Sequence, residues 1–283
     1  MNPKPHTTDE ATSGPLLTAR KRRIAAPGYM PAPGTFRGIR RRVIGAPNLL
    51  RRLQFRQTLS FLGPGNARRL LEVGCGQGWM SAEAARAGFR VIGSDPFRDS
   101  DWSTWTGCGA CFVQADGGRL PFPDHVFDCI LLLSVLPVVP KAEPILRECA
   151  RVLSLSPGSR LVLSAPGPLP RLARHMPEEE LRSRLRHLFH ADGPMWFTLD
   201  EIGRLLEGNG LKIARAAQTP GALTSAIWQD AIRRGMVSGR EPSLKGMFFK
   251  YYPFLWWDRG SGESRARAPW GGEWLIAAEP LTS

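Results

Sequence analysis

The 283-residue chain has no apolar run near the ~18 residues that a membrane span needs, and no hydrophobic segment opens it. Neither a spanning helix nor a secretory signal is therefore expected. Cysteine is scarce and odd in number: Cys75, Cys108, Cys111, Cys129 and Cys149 lie scattered through segments of ordered pattern. That usage predicts a reduced, cytoplasmic protein without a disulfide framework. Cys108-Gly109-Ala110-Cys111 has the spacing of half a zinc site or of a redox pair. No second pair accompanies it, so packing or coincidence is the better reading and no metal site is expected. Repeats are absent. No Gly-Lys-Ser/Thr follows the glycine-rich stretch, which excludes a P-loop.

Acidic residues are nearly missing from the start of the chain. Residues 1–52 hold eleven Lys/Arg against Asp9 and Glu10, so nine of the +13 net charge sit there and only +4 remains for the rest. The basicity belongs to an arm, which argues against a basic globular surface for nucleic acid. Residues 1–46 are rich in Pro, Gly, Thr and Arg without amphipathic period, and read as a solvated, disordered arm. The sharper alternative attaches its clusters at 20–23 and 40–42 to an anionic membrane or to nucleic acid.

Beyond the arm the chain is patterned. Leu49–Leu62 has apolar residues near helical spacing between Pro47 and Gly63-Pro64-Gly65. Apolar runs at 70–73, 89–95, 111–116, 127–134 and 160–165 alternate with helical stretches at 79–87 and 143–153, the rhythm of a parallel sheet covered on both faces. Later, Glu178–Phe189 reads as helix, and Thr198 with Glu201 three residues on signals another. Runs at 211–217 and 273–278 complete seven strands. The expected fold is α/β: a Rossmann-like, doubly wound seven-stranded sheet, mostly parallel with the last strand antiparallel. One domain spans 47–283, with inserts at 166–197 and 222–271. The second insert holds a helix near 227–234 and the aromatic cluster 248–257, which reads as core or as a lid.

The chemistry is concentrated in Leu71-Glu72-Val73-Gly74-Cys75-Gly76-Gln77-Gly78-Trp79. Glycine permits a sharp turn and close approach of a ligand to the backbone. The dinucleotide fingerprint would need glycine at 79, but that residue is Trp79 and the third glycine falls at Gly78. An acid, Asp95, ends the next strand about twenty residues after the glycines, placed to reach ribose hydroxyls.

These pieces resemble the class I S-adenosylmethionine-dependent methyltransferases that act on small molecules (type 11-like). The match includes Val91-Ile92-Gly93-Ser94-Asp95, Ala115-Asp116, Leu120-Pro121-Phe122-Pro123-Asp124 with Phe127-Asp128, and Arg147-Glu148-Cys149-Ala150-Arg151-Val152-Leu153 before Pro157-Gly158-Ser159. It covers roughly 50–220 and the last strand. The resemblance implies S-adenosyl-L-methionine as cofactor. Its methionine half would lie on Gly74 and Gly76 with Glu72 near the ammonium group. Asp95 would meet the ribose and Asp116 the adenine amino group, while the end of strand four, Leu133 and Ser134, would offer a carbonyl to the ammonium. Cys75, Gly78, Pro96 and Gly117 complete that cofactor-binding set.

Methyl transfer from a sulfonium needs alignment above all, and positioning alone can supply ~7–11 kcal/mol. No catalytic residue is therefore identified. Many relatives carry a His or Glu pair after strand four, whereas this chain reads Ser134-Val135-Leu136-Pro137-Val138-Val139-Pro140, an apolar wall suggesting shape-based substrate binding. His187 and His190 are the only candidate bases, and each reads more readily as a solvated or packed histidine. The expected acceptor is a small or lipid-like metabolite methylated at O, N or C, with peripheral membrane contact through residues 1–62 and 248–257 as a further expectation. RNA methylation is the alternative. It lacks the Asn/Asp-Pro-Pro-Tyr/Phe sequence with which many base-amino methylases hold a flipped base. An NAD-dependent oxidoreductase is disfavoured by Trp79, and a non-catalytic binding module by the intact Gly74, Gly76, Asp95 and Asp116.

Overall fold

A computed structural model describes residues 49–99, 101–189, 192–219, 229–230, 232–234, 236–237 and 272–281. The expectations for 1–46, for the aromatic cluster 248–257 and for His190 lie outside these residues. Of the second insert's helix, the described positions from 229 to 237 are helical.

Continuous burial on both faces marks the inner strands of the sheet. β1 (Arg69–Val73), β2 (Arg90–Asp95), β3 (Ala110–Gln114), β4 (Cys129–Leu133) and β5 (Arg160–Pro166) pair in parallel, and β7 (Glu273–Pro280) lies antiparallel between β5 and β6 (Leu211–Thr219). The order is β3-β2-β1-β4-β5-β7-β6. Successive residues face opposite layers, as a strand requires. Leu71, Ile130, Leu132, Leu161, Leu163 and Ile276 join one core; Leu70, Cys129, Leu131, Val162 and Leu275 join the other.

The first core is closed by α4 (Glu143–Val152), whose Ile145, Leu146, Cys149 and Val152 form one buried stripe, and by α7 (Leu199–Glu207). The expected capping box at Thr198 and Glu201 is present. The second core is closed by α1 (Leu49–Leu62) and α2 (Trp79–Arg86). Phe55, Phe61 and Leu62 of α1 are all buried. Their apolar surface is spent inside the protein, Phe61 and Leu62 in the second core and Phe55 against the Trp79 ring. No helix among the described residues is long and apolar enough to cross a membrane.

Some boundaries differ from the apolar runs for visible reasons. β3 stops at Gln114 because Asp116 turns the chain, its Oδ1 accepting the Gly118 N–H at 2.9 Å. β4 begins only at Cys129, since Phe127 bridges to Leu153 and the Asp128 carboxylate takes the Arg69 N–H at 2.8 Å. Two short helices have no counterpart in the sequence pattern: α3 (Trp102–Trp105) and α5 (Pro170–Ala173). With α6 (Glu178–Phe189), α5 forms a small cap whose own core includes Leu169, Leu172, Leu181, Leu185 and Trp196, packed against Val138.

The apolar stretch after β4 is buried in its first half. Val135, Leu136 and Pro137 are buried, and Gly193 sits so close to the Pro137 carbonyl that a Cβ there would lie 2.2 Å from its oxygen. Val135 and Leu136 belong to the first core, and Val138 packs against the cap. Val138 and Val139, the next two residues of the stretch, are half-buried, and Pro140 is exposed.

Candidate active site

A doubly wound sheet opens a crevice where its strand order reverses, because connections from adjacent strands leave in opposite directions. Here that point lies between the carboxyl ends of β1 and β4. β1 ends at Val73 and delivers the glycine run there. The Gly74 and Cys75 N–H groups both donate to the Ser94 carbonyl, at 2.8 and 2.9 Å, folding the loop over the end of β2. Asp95 ends β2 and is 2% exposed. Its Oδ2 accepts the Gly76 N–H and its Oδ1 the Phe97 N–H, both at 3.0 Å, which fixes the carboxylate against the loop.

The three glycines differ in what they make room for. All have positive φ, 76°, 51° and 81° at Gly74, Gly76 and Gly78. A Cβ at Gly74 would lie 2.4 Å from Val135 Cγ2, and one at Gly78 would lie 2.5 Å from the Phe112 ring. Nothing lies within 4 Å of a Cβ at Gly76. Gly74 and Gly78 thus admit protein side chains, and Gly76 alone presents an open face to a ligand. Gly117 is likewise a packing glycine, its Cβ position 2.9 Å from Val73 Cγ1.

Two tryptophans outside the recognised motifs brace this loop. The Trp102 indole donates to the Gly76 carbonyl at 2.7 Å and the Trp105 indole to the Gln77 carbonyl at 2.9 Å. Trp102 stacks on Phe112 with centroids 5.3 Å apart. The signal in the sequence is Trp102-Ser103-Thr104-Trp105, two indoles three residues apart on one helical face, each needing an acceptor when buried.

The other expected residues take varied places around the loop. Glu72 is 4% exposed and accepts the Ser81 hydroxyl at 2.5 Å, so its carboxylate ties β1 to α2 behind the loop. Cys75 is buried, and burial, reinforced by the Glu72 and Asp95 charges, pushes its thiol far up; it is no nucleophile. The Pro96 carbonyl accepts from Gln114 at 3.0 Å. Asp116 is exposed, with Oδ1 held by its own turn. His187 is exposed on α6, which gives it no enclosed position from which to act as a base. Cys108 accepts from Arg86 at 3.0 Å, and among the described residues no group of His, Cys, Asp and Glu could hold a metal ion.

Leu133 and Ser134 close β4, and Ser134 leads into a polar group no motif announced. Ser134 has φ 56°, a conformation costly for a residue with a side chain. Its hydroxyl donates to Glu273 Oε1 at 2.8 Å, the Ser164 hydroxyl donates to the same oxygen at 2.7 Å, and Gln54 of α1 donates to Oε2 at 2.8 Å. Glu273 opens β7 opposite Pro166, at the carboxyl edge of β5. In the sequence it is only a polar residue preceding an apolar run.

Fold and loop together define a class I nucleotide-crevice domain, and comparison with known proteins agrees. Residues 71–163 match the family model described as a methyltransferase domain. The ubiquinone/menaquinone biosynthesis C-methyltransferase UbiE of Pseudomonas paraeruginosa is 30% identical over 128 residues, covering 40% of this chain and 48% of that protein. An uncharacterized methyltransferase of Mycobacterium tuberculosis is 36% identical over 104 residues, 36% of this chain and 40% of the other. The chain thus spans about half the length of the curated relatives it matches. Among solved structures, geranyl diphosphate C-methyltransferase from Streptomyces coelicolor A3(2) superposes with a TM-score of 0.59 at 16% identity, covering 96% of this chain and 100% of that one. Residues 71–163 are thus similar to a methyltransferase domain, and the sheet shares its fold with that solved methyltransferase.

Proposed function

We propose that the whole chain is an S-adenosylmethionine-dependent methyltransferase acting on a small-molecule acceptor. The observation that carries this reading is the open face of Gly76 beside the fixed Asp95 carboxylate, at the strand-order reversal of a methyltransferase-type sheet. The donor set fits the cofactor: Gly76 gives backbone access, Asp95 stands where ribose hydroxyls would reach, and Asp116 is exposed one turn beyond β3. Leu133 and Ser134 lie across the crevice at the end of β4, with Glu72 and the two indoles holding the loop from behind. Bound there, S-adenosylmethionine supplies an electrophilic methyl whose departure leaves a neutral thioether. The protein's own work is to hold the acceptor atom in line and to exclude water, the kind of positioning worth ~7–11 kcal/mol.

Incubating the protein with methyl-labelled cofactor and extracts of its source organism, then identifying the labelled product, tests the proposal. A labelled small molecule is expected. Absence of any labelled product together with absence of cofactor binding by calorimetry would remove it. Peripheral membrane contact through the basic arm and residues 248–257, with a cytoplasmic location, is a separate proposal supported by the charge of 1–52. Retention on anionic liposomes in flotation supports it, and no retention defeats it.

A further inference from the structure

Glu273 is a half-buried carboxylate whose contacts are all uncharged. Gln54 amide, Ser134 hydroxyl and Ser164 hydroxyl converge on it, and no ion pair involves it among the described residues. The other acid of the same strand shows the contrast: Glu279, at the far end of β7, faces Arg160 at 3.4 Å. Taking a carboxylate partly out of water is costly unless hydrogen bonds and a counter-charge compensate. Three donors orient Glu273, yet among the described residues none of them brings an opposite charge to it.

Its location says what could supply one. β1, β4, β5 and β7 are successive neighbours in the sheet, spaced ~4.8 Å apart. The cofactor set runs from Asp95 on β2 to Ser134 after β4. Glu273 continues that line on the side away from Asp95, and touches it through the Ser134 hydroxyl. The strained backbone of Ser134 is the feature that turns the two groups toward each other; strain of this kind concentrates at functional sites. The three apolar residues that follow Ser134 are buried, whereas Glu273 is half-buried at the same edge.

We propose, resting on the methyltransferase reading, that Glu273, oriented by Gln54, Ser134 and Ser164, anchors a positively charged amine of the methyl acceptor at the carboxyl edge of β5 and β7. The same chemistry could come from the cofactor's own ammonium group, and the test separates the two sources.

The full chain is first titrated with S-adenosylhomocysteine by calorimetry. The loaded protein is then titrated by NMR with benzylamine and with benzyl alcohol, probes of one skeleton that differ in charge. Benzylamine is expected to bind at least about tenfold more tightly, the scale of one charge-assisted hydrogen bond. Glu273→Gln keeps an acceptor oxygen for the two hydroxyls but removes the charge. It should abolish the preference and leave S-adenosylhomocysteine affinity and Tm nearly unchanged. Phe61→Ala, which loosens α1 in the second core without touching the Glu273 group, should lower Tm and keep the preference. Equal binding of both probes, no amine binding, or a preference that survives Glu273→Gln overturns the proposal. A fall in S-adenosylhomocysteine affinity in Glu273→Gln would assign the charge to the cofactor and overturn the acceptor assignment. Failure of the unmodified chain to bind S-adenosylhomocysteine would overturn the methyltransferase reading itself, and this assignment with it.

Discussion

Gly76→Leu is expected to cost the protein its cofactor while leaving the fold standing. No atom lies within 4 Å of the new Cβ, so the side chain enters space that only a ligand would use. The folded state bears the left-handed backbone, φ 51°, at ~1–2 kcal/mol. A bulky group in an occupied site costs ~1–3 kcal/mol or more, roughly fivefold to over a hundredfold in affinity. Calorimetry with S-adenosylmethionine and a melting curve read the two effects separately. Gly74→Leu is the control in the opposite sense: its Cβ would lie 2.4 Å from Val135, so the fold should fail before binding can be measured. Unchanged cofactor affinity in Gly76→Leu would end the assignment of this loop.

The second large effect concerns the segment that carries the chain from the Asp116 turn into β4. Arg151 of α4 donates to the carbonyls of Leu120 and Phe122 at 3.1 and 2.8 Å, to both Glu148 oxygens at 2.8 Å, and to Asp124 at 2.6 Å. Glu148 in turn accepts the Leu120 N–H at 2.7 Å. Asp124 is 63% exposed, so its pair contributes little through solvent screening. The two carbonyls and Glu148 carry the effect. Arg151→Met should destabilise the domain by about 2 kcal/mol, a Tm loss of roughly 4–8 °C. The Arg151 hydrogen bond holds the Glu148 carboxyl below its usual value of 4.5, against the opposing effect of burial. A lowered folded-state value means stability that is complete above the ordinary carboxylate range and is lost as pH falls through the lowered value. The gap between the two proteins in chemical denaturation should therefore be widest near neutral pH and shrink below pH 4.5. A gap that stays constant into acid would show that Glu148 takes no part.

Much of this molecule can be read along the chain because its determinants are local. Apolar runs of strand length, the helical stripe of Ile145, Leu146, Cys149 and Val152, and the Thr198–Glu201 cap each depend on neighbours a few residues away. The glycine spacing with Trp79 at the fourth place separates this loop from a dinucleotide site, and Asp95 follows at the distance one helix and one strand require. The cofactor class is therefore written in 71–95.

Which glycine faces the ligand is not. Gly74, Gly76 and Gly78 look alike in sequence, and their difference lies in Val135, Phe112 and Trp105, brought in from β3, α3 and the turn after β4. The apolar stretch 134–140 reads as one wall, and only the packing shows that Val135, Leu136 and Pro137 are buried while Pro140 is exposed. Glu273 and Gln54 are 219 residues apart, and only the insertion of β7 between β5 and β6 sets them together with Ser134 and Ser164. By itself the sequence determined the fold class, the strand count and the loop that names the methyl donor, since periodicity and backbone freedom act over short spans. The tertiary structure alone decided which small residues are spent on packing, and which carboxylate gathers Gln54, Ser134 and Ser164, because steric contact and hydrogen bonding there depend on residues far apart in the chain.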